Sequence, residues 1–145
     1  MLKLIPPLIA PDLLFALASL GHGDELALVD ANFPADRLAA QGGGRLVRLS
    51  GVDTAAALQA VLVLLPLDDF EPCCAWSMQV VGQPQTVPAP VAQFRELLAQ
   101  QGRSVDSLER HAFYERARAA RLLVQTGDLR KYANVLLRKG VVAID

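Results

Sequence analysis

The sequence predicts an α/β fold in a single domain, residues 1–145, with a largely parallel sheet flanked by helices. Three observations predict it. Stretches of helical periodicity alternate with short apolar runs bounded by Gly, Pro and Asn, the pattern of successive strand–helix units. The 145 residues contain no internal repeat, low-complexity tract or linker, and fit one domain of ordinary size. Hydrophobic residues make up 52% and charged residues 20%, and the mean hydropathy is +0.30. A sheet buried on both faces, or apolar surface covered by other subunits, accounts for that excess.

In chain order, Pro11 and Asp12 open a helix that Gly21 closes, with Leu13, Leu14, Leu17 and Leu20 facing the core. Glu25–Asp30 reads as a short strand ended by Asn32 and Pro34. Gly42–Gly44 is a loop, and Leu46–Leu49 a second strand. Asp53–Leu65 carries Leu58, Val61, Leu62 and Leu65 at helical spacing, and Pro66 stops it. Ala75–Val81 is a strand with Trp76, Met78 and Val80 on one side. Pro84, Pro88 and Pro90 mark a loop, and Pro90 starts a helix striped by Val91, Phe94, Leu97 and Leu98. Leu108–His111 reads as a strand edge, and Phe113–Ala120 is rich in helix formers. Arg121–Gln125 and Val135–Leu137 are β candidates.

Several function classes recede on composition. A net charge of −1 gives no electrostatic footprint for nucleic acid. Pro6, Pro7, Pro11 and Asp12 interrupt the apolar N-terminus, so an export signal is not expected. The later apolar run Ala55–Leu67 is short of the roughly 20 residues a membrane span needs. No membrane partner and a cytoplasmic location are therefore expected. Cys73 and Cys74 are adjacent, a spacing that strains a mutual disulfide, and are expected as free thiols.

The segment LGHGDELALVDANFP, residues 20–34, holds the first candidates. His22 follows the expected helix end, where carbonyls favour its protonated form and suit it to general acid–base work; a plain capping role is the other reading. Asp30 closes an apolar strand, at the end of the sheet where α/β folds bind ligands. It either accepts hydrogen bonds from ligand hydroxyls or caps a turn at Asn32. His22, Asp24 and Glu25 are too few for a metal site, and no phosphate loop or nucleophile motif is present. A second polar concentration comprises Arg110, His111, Tyr114, Glu115 and Arg116, then Lys131, Tyr132, Ala133 and Asn134. Tyr and Asn pair with neutral hydroxyls, and Arg forks onto two oxygens. Arg116, Arg118 and Arg121 read as a solvated helix face, and Tyr132 with Asn134 reads equally as a turn.

Together, PLIAPDLLFALASLGHGDELALVDANFPA, FYERARAA and KYANVLLRKGV resemble the L-fucose mutarotase and D-ribose pyranase (RbsD/FucU) family, from Leu4 to Val141. The resemblance implies a sugar isomerase that uses no metal or organic cofactor. By position it makes His22 the proton donor and Asp30 a substrate-binding carboxylate. Tyr132, Ala133 and Asn134 match the substrate-binding tripeptide. Arg110 and the FYER motif after it match the fucose branch, whereas Ala133 is pyranase-like and His111 stands beside Arg110. The implied activity is L-fucose mutarotation, with D-ribose pyranase or a non-catalytic monosaccharide-binding protein as alternatives. The implied partners are a monosaccharide and further copies of the chain, in a homo-oligomeric ring, commonly a decamer, with sites near subunit contacts.

Overall fold

A computed structural model describes residues 1–144; Asp145, the last position of the expected domain, lies outside the described residues. The elements are α1 (Pro11–Ala18), β1 (Glu25–Val29), α2 (Ala35–Gly42), β2 (Arg45–Leu49), α3 (Thr54–Leu64), β3 (Ala75–Met78), α4 (Ala89–Gln100), β4 (Asp106–Leu108), α5 (Arg110–Ala119), β5 (Leu122–Thr126) and β6 (Val135–Arg138). The strands form one sheet in the order β2-β5-β1-β6-β3-β4. Five run parallel, and β6 alone opposes its neighbours β1 and β3. A parallel return needs a crossover of about a dozen residues or more. The chain between β5 and β6, residues 127–134, is too short for one.

The uninterrupted apolar run of β1 follows from burial on both faces. Leu26 and Leu28 join α1, α3 and α4 in one core, through Leu13, Leu58 and Phe94. Ala27 and Val29 face the other core, with Leu38 of α2 and Phe113 and Ala117 of α5. Each fully buried Leu or Phe stabilises the fold by roughly 1.5–3 kcal/mol. This two-sided core places β1 and β6 at the centre of the sheet and fixes where their ends emerge.

Several boundaries differ from the sequence reading. α1 stops at Ala18, short of Gly21, because the Ser19 and Leu20 amides and the Ser19 hydroxyl already satisfy its last carbonyls. α2 is unanticipated; its core face amounts to Ala35, Leu38 and Ala39, too little to stand out, and Gly43 ends it in the left-handed conformation at φ 74°. β3 ends at Met78. The expected strand edge at Leu108–His111 divides instead: β4 ends at Leu108, and Glu109 caps α5 by accepting from the His111 and Ala112 amides at 2.8 and 3.2 Å. Arg116 and Arg118 are not freely solvated. Arg116 pairs with Glu25, and Arg118 with Glu115 and Gln41. No described helix is long and apolar enough to cross a membrane.

Candidate sugar site

A cavity of about 200 Å³ opens where the carboxyl ends of β1, β3 and β4 meet the start of β6. Asp30, Arg110, Tyr132 and Asn134 all line it, with Asn32, Phe33, Met78, Val81, Tyr114 and Lys131. Residues far apart in sequence meet because the parallel strands deliver their ends to one edge of the sheet. The volume is small for a drug-sized ligand and suits a single sugar ring.

Asp30 is held from several sides. Its amide donates to Asn134 Oδ1 at 2.8 Å, and its own Oδ1 accepts from the Asn32 amide at 2.9 Å. The turn-capping and cavity-lining readings therefore both describe it. Burial pushes its pKa above the ordinary carboxylate value; donors from Asn32, Asn134 and Phe33 act against that, and the Asp128 charge adds to it. The segment after β1 is fastened by Gln125, whose amide reaches the carbonyls of Ala31 and Phe33 at 3.3 and 2.9 Å.

Asn134 is 2% exposed, and its side-chain oxygen accepts from the Asp30 amide just after β1. Tyr132 has φ 64°, a left-handed backbone that non-glycine residues seldom adopt and that recurs at functional sites. Its hydroxyl accepts from the Val81 amide at 3.2 Å. Ala133, between them, is fully buried on the opposite core, and its carbonyl accepts from the Thr54 hydroxyl at 2.9 Å. It does not line the cavity. Buried Asp128 anchors the same loop, accepting from the Thr54 amide and from the Arg130 fork.

Arg110 is the first residue of α5, and its Nε is buried with no partner among the described residues. Such a donor is costly unless a ligand satisfies it. Arg110 rather than His111 lines the cavity. Tyr114 lies one helical turn on from Arg110, on the same face. That spacing is the signal by which sequence reasoning reaches it. Met78 is legible in the same way, as the inward member of an alternating strand.

His22 lies elsewhere. It precedes β1, whereas Asp30 follows it, so five strand residues separate the two by about 17 Å at 3.3–3.4 Å per residue. His22 Nε2 is 3.1 Å from Asp68 Oδ1, and its ring meets Phe70 edge-on at 4.5 Å between centroids. Asp68 is buried, which works to raise its pKa. The His22 hydrogen bond, the Phe70 amide and the charges of His22 and Arg138 outweigh that and hold it below the ordinary value. An ionised carboxylate only accepts, so Nε2 carries a proton toward Asp68, and in the neutral ring Nδ1 is the nitrogen left with a lone pair. Asp68 follows Pro66 and Leu67 in a loop without periodicity, and no local signal singles it out. Among the described residues, no group of three or more His, Cys, Asp or Glu side chains is arranged to hold a metal ion.

Known proteins resemble this chain over nearly its whole length. A human protein, "Fucose mutarotase", is 41% identical over 149 residues, covering 99% of this chain and 96% of its own. A structure of the fucose mutarotase in complex with L-fucose from Streptococcus pneumoniae matches with a TM-score of 0.89 and 38% identity, over 98% of this chain and 100% of that one. Bacillus subtilis RbsD complexed with D-ribose matches at TM-score 0.75 and 17% identity, over 93% of this chain and 95% of that one, a likeness of fold alone. The RbsD / FucU transport protein family matches residues 3–142. The chain belongs to the RbsD / FucU transport protein family.

Proposed function

We propose that this protein is an L-fucose mutarotase, an isomerase that interconverts the α and β anomers of the free sugar. The observation that carries the reading is the convergence of Asp30, Arg110, Tyr132 and Asn134 on one cavity of monosaccharide size. The 38% identity to a structure holding L-fucose supports the choice of sugar.

Mutarotation needs two proton movements. The anomeric hydroxyl loses a proton, the bond between C1 and the ring oxygen breaks, and the ring oxygen gains a proton, leaving the open aldehyde. Rotation about C1–C2 presents the other carbonyl face, and reclosure reverses the proton movements. Positioned acid–base groups typically contribute about 10²–10⁴-fold to such steps. His22 Nδ1 is the proposed proton carrier. The Asp30 carboxylate accepts from sugar hydroxyls, the Arg110 Nε donates to a sugar oxygen, and Tyr132 and Asn134 complete the grip. The proposed reaction uses no metal or organic cofactor.

In one copy His22 and the cavity are too far apart to share a substrate. The reading therefore places His22 of one copy at the cavity of the next, in a homo-oligomer. A contact joining different surfaces of identical chains closes into a ring when the rotation allows, in keeping with the decamer the resemblance implies. Phe70 beside His22 is 71% exposed, and Leu129, in the loop carrying Tyr132, is 81% exposed. They supply apolar surface for that contact to cover. The proposed location is the cytoplasm, whose reducing conditions keep the free Cys73 and Cys74 thiols reduced.

The test is anomer exchange of L-fucose by saturation-transfer NMR, beside ribose pyranose–furanose exchange. Exchange above the buffer rate, abolished by His22→Ala, is the expected result. Saturable binding without faster exchange means a sugar-binding protein instead.

A further inference from the structure

Two arginines converge on one carboxylate at the end of the sheet where His22 lies. Glu25 accepts from Arg116 Nε and Nη2 at 2.7 and 2.8 Å, a two-pronged pair joining β1 to α5. It also accepts from Arg138 Nε and Nη2 at 3.3 and 3.2 Å. Both guanidinium groups lie over Trp76, 3.5 and 5.2 Å from its ring centroid. Arg138 then reaches further. Its Nη1 is 3.8 Å from Asp68 Oδ2, while the other oxygen of Asp68 serves His22.

Arg116 alone neutralises Glu25 and accounts for the contact between strand and helix. A second arginine is surplus there, and its role shows only when Asp68 is included. Two cations and two carboxylates then balance, and among the described residues Arg138 alone pairs with both carboxylates. The backbone supports the same link, because the Asp68 amide donates to the Arg138 carbonyl at 3.0 Å. The stacked Trp76 ring and the Glu25 fork leave Arg138 little freedom to swing away.

We propose that Arg138, anchored by Glu25 and Trp76, is a positioning residue: it holds the Asp68 carboxylate so that Asp68 fixes the His22 imidazole with Nδ1 free. The proposal rests on the mutarotase reading for its effect on rate, but the tautomer it specifies is measurable without turnover. Nothing in the segment around His22 signals this chain of contacts, which runs through the start of β1 and the end of β6.

The test compares the assembled wild-type protein with Arg138→Met and Arg138→Lys, by imidazole ¹⁵N shifts and L-fucose exchange kinetics. With two histidines in the chain, a His111→Gln background assigns the His22 signals. Wild type is expected to show a protonated Nε2 and a bare Nδ1. Arg138→Met is expected to mix the tautomers and lower kcat about 10–100-fold, as loss of an orienting partner does elsewhere, with KM within about twofold. Arg138→Lys keeps a cation and is expected to restore most of both. A folded Arg138→Met with the wild-type tautomer and kcat overturns the proposal. Should Arg138→Met not assemble, Glu25→Gln loosens the same anchor; a wild-type tautomer and kcat there also overturn it. If wild type shows the specified tautomer but no faster exchange than buffer, the mutarotase reading has failed and the positioning has not.

Discussion

Asp68→Asn is the substitution whose consequence follows most directly from the geometry. It preserves shape and removes the charge from a side chain only 2% exposed. Asp68 Oδ1 accepts from both His22 Nε2, at 3.1 Å, and the Phe70 amide, at 3.2 Å. An asparagine oxygen serves both no better than weakly, and rotated by half a turn its NH₂ opposes both donors. Either way His22 loses its charged acceptor, and the proton moves more freely to Nδ1. A hydrogen bond to a charged group contributes about 1.5–3 kcal/mol. At 1.36 kcal/mol per factor of ten, that is roughly a 10–150-fold loss in kcat. KM changes little, because Asp68 is outside the cavity that grips the sugar. The assay is L-fucose anomer exchange by NMR across substrate concentration, with folding checked by circular dichroism. A folded Asp68→Asn within twofold of wild-type kcat, alongside an inactive His22→Ala, refutes the reasoning.

Other expectations follow from the same structure. Arg110→Met removes a buried donor that lacks a partner among the described residues, so L-fucose affinity is expected to fall about tenfold while stability holds or rises, since an unmet buried donor costs about 1–3 kcal/mol; titration calorimetry and urea unfolding read the two. A Cβ on Gly140 would stand 2.4 Å from the Leu67 carbonyl oxygen and 2.8 Å from the Asp68 amide nitrogen. Gly140→Ala is therefore expected to cost about 1–3 kcal/mol in urea unfolding and to lower kcat by displacing Asp68. Asp30 has a raised folded pKa, so its ionisation weakens the fold as pH rises through that value. Asp30→Asn is accordingly expected to be more stable than wild type at neutral pH, with the advantage vanishing below pH 3.8, where both folded and unfolded Asp30 are protonated; unfolding midpoints across pH measure it.

Much of the fold is legible in the chain because periodicity and punctuation are local. The LALV run of β1 and the leucine spacing of α3 announce themselves without tertiary knowledge. α2 does not, since three small or single buried contacts make no stripe. The direction of β6 follows from the length of the preceding loop, which rules out a parallel crossover. Asp30, Arg110, Tyr132 and Asn134 stand out as polar groups beside apolar elements, and the strand ends bring them together. Ala133 stands in the sequence between two cavity residues but turns into the opposite core, since a strained Tyr132 reverses the chain there. His22 is legible as an oddity, yet its partner is not. Asp68 comes from a loop 46 residues away, and Arg138 from the last strand. Ion pairs between distant segments leave no trace in local spacing.

The central claim is that His22 acts at the cavity of a neighbouring copy. Mixing two inactive variants tests it most directly: His22→Ala, which keeps the cavity, and Asp30→Ala, which keeps the histidine. Co-assembled at equal amounts, a ring built from random neighbours has both intact parts at about one quarter of its sites. The account predicts that fraction of wild-type L-fucose exchange in the mixed assembly, from two proteins that separately show none. Mixed assemblies that stay as inactive as their parents contradict it.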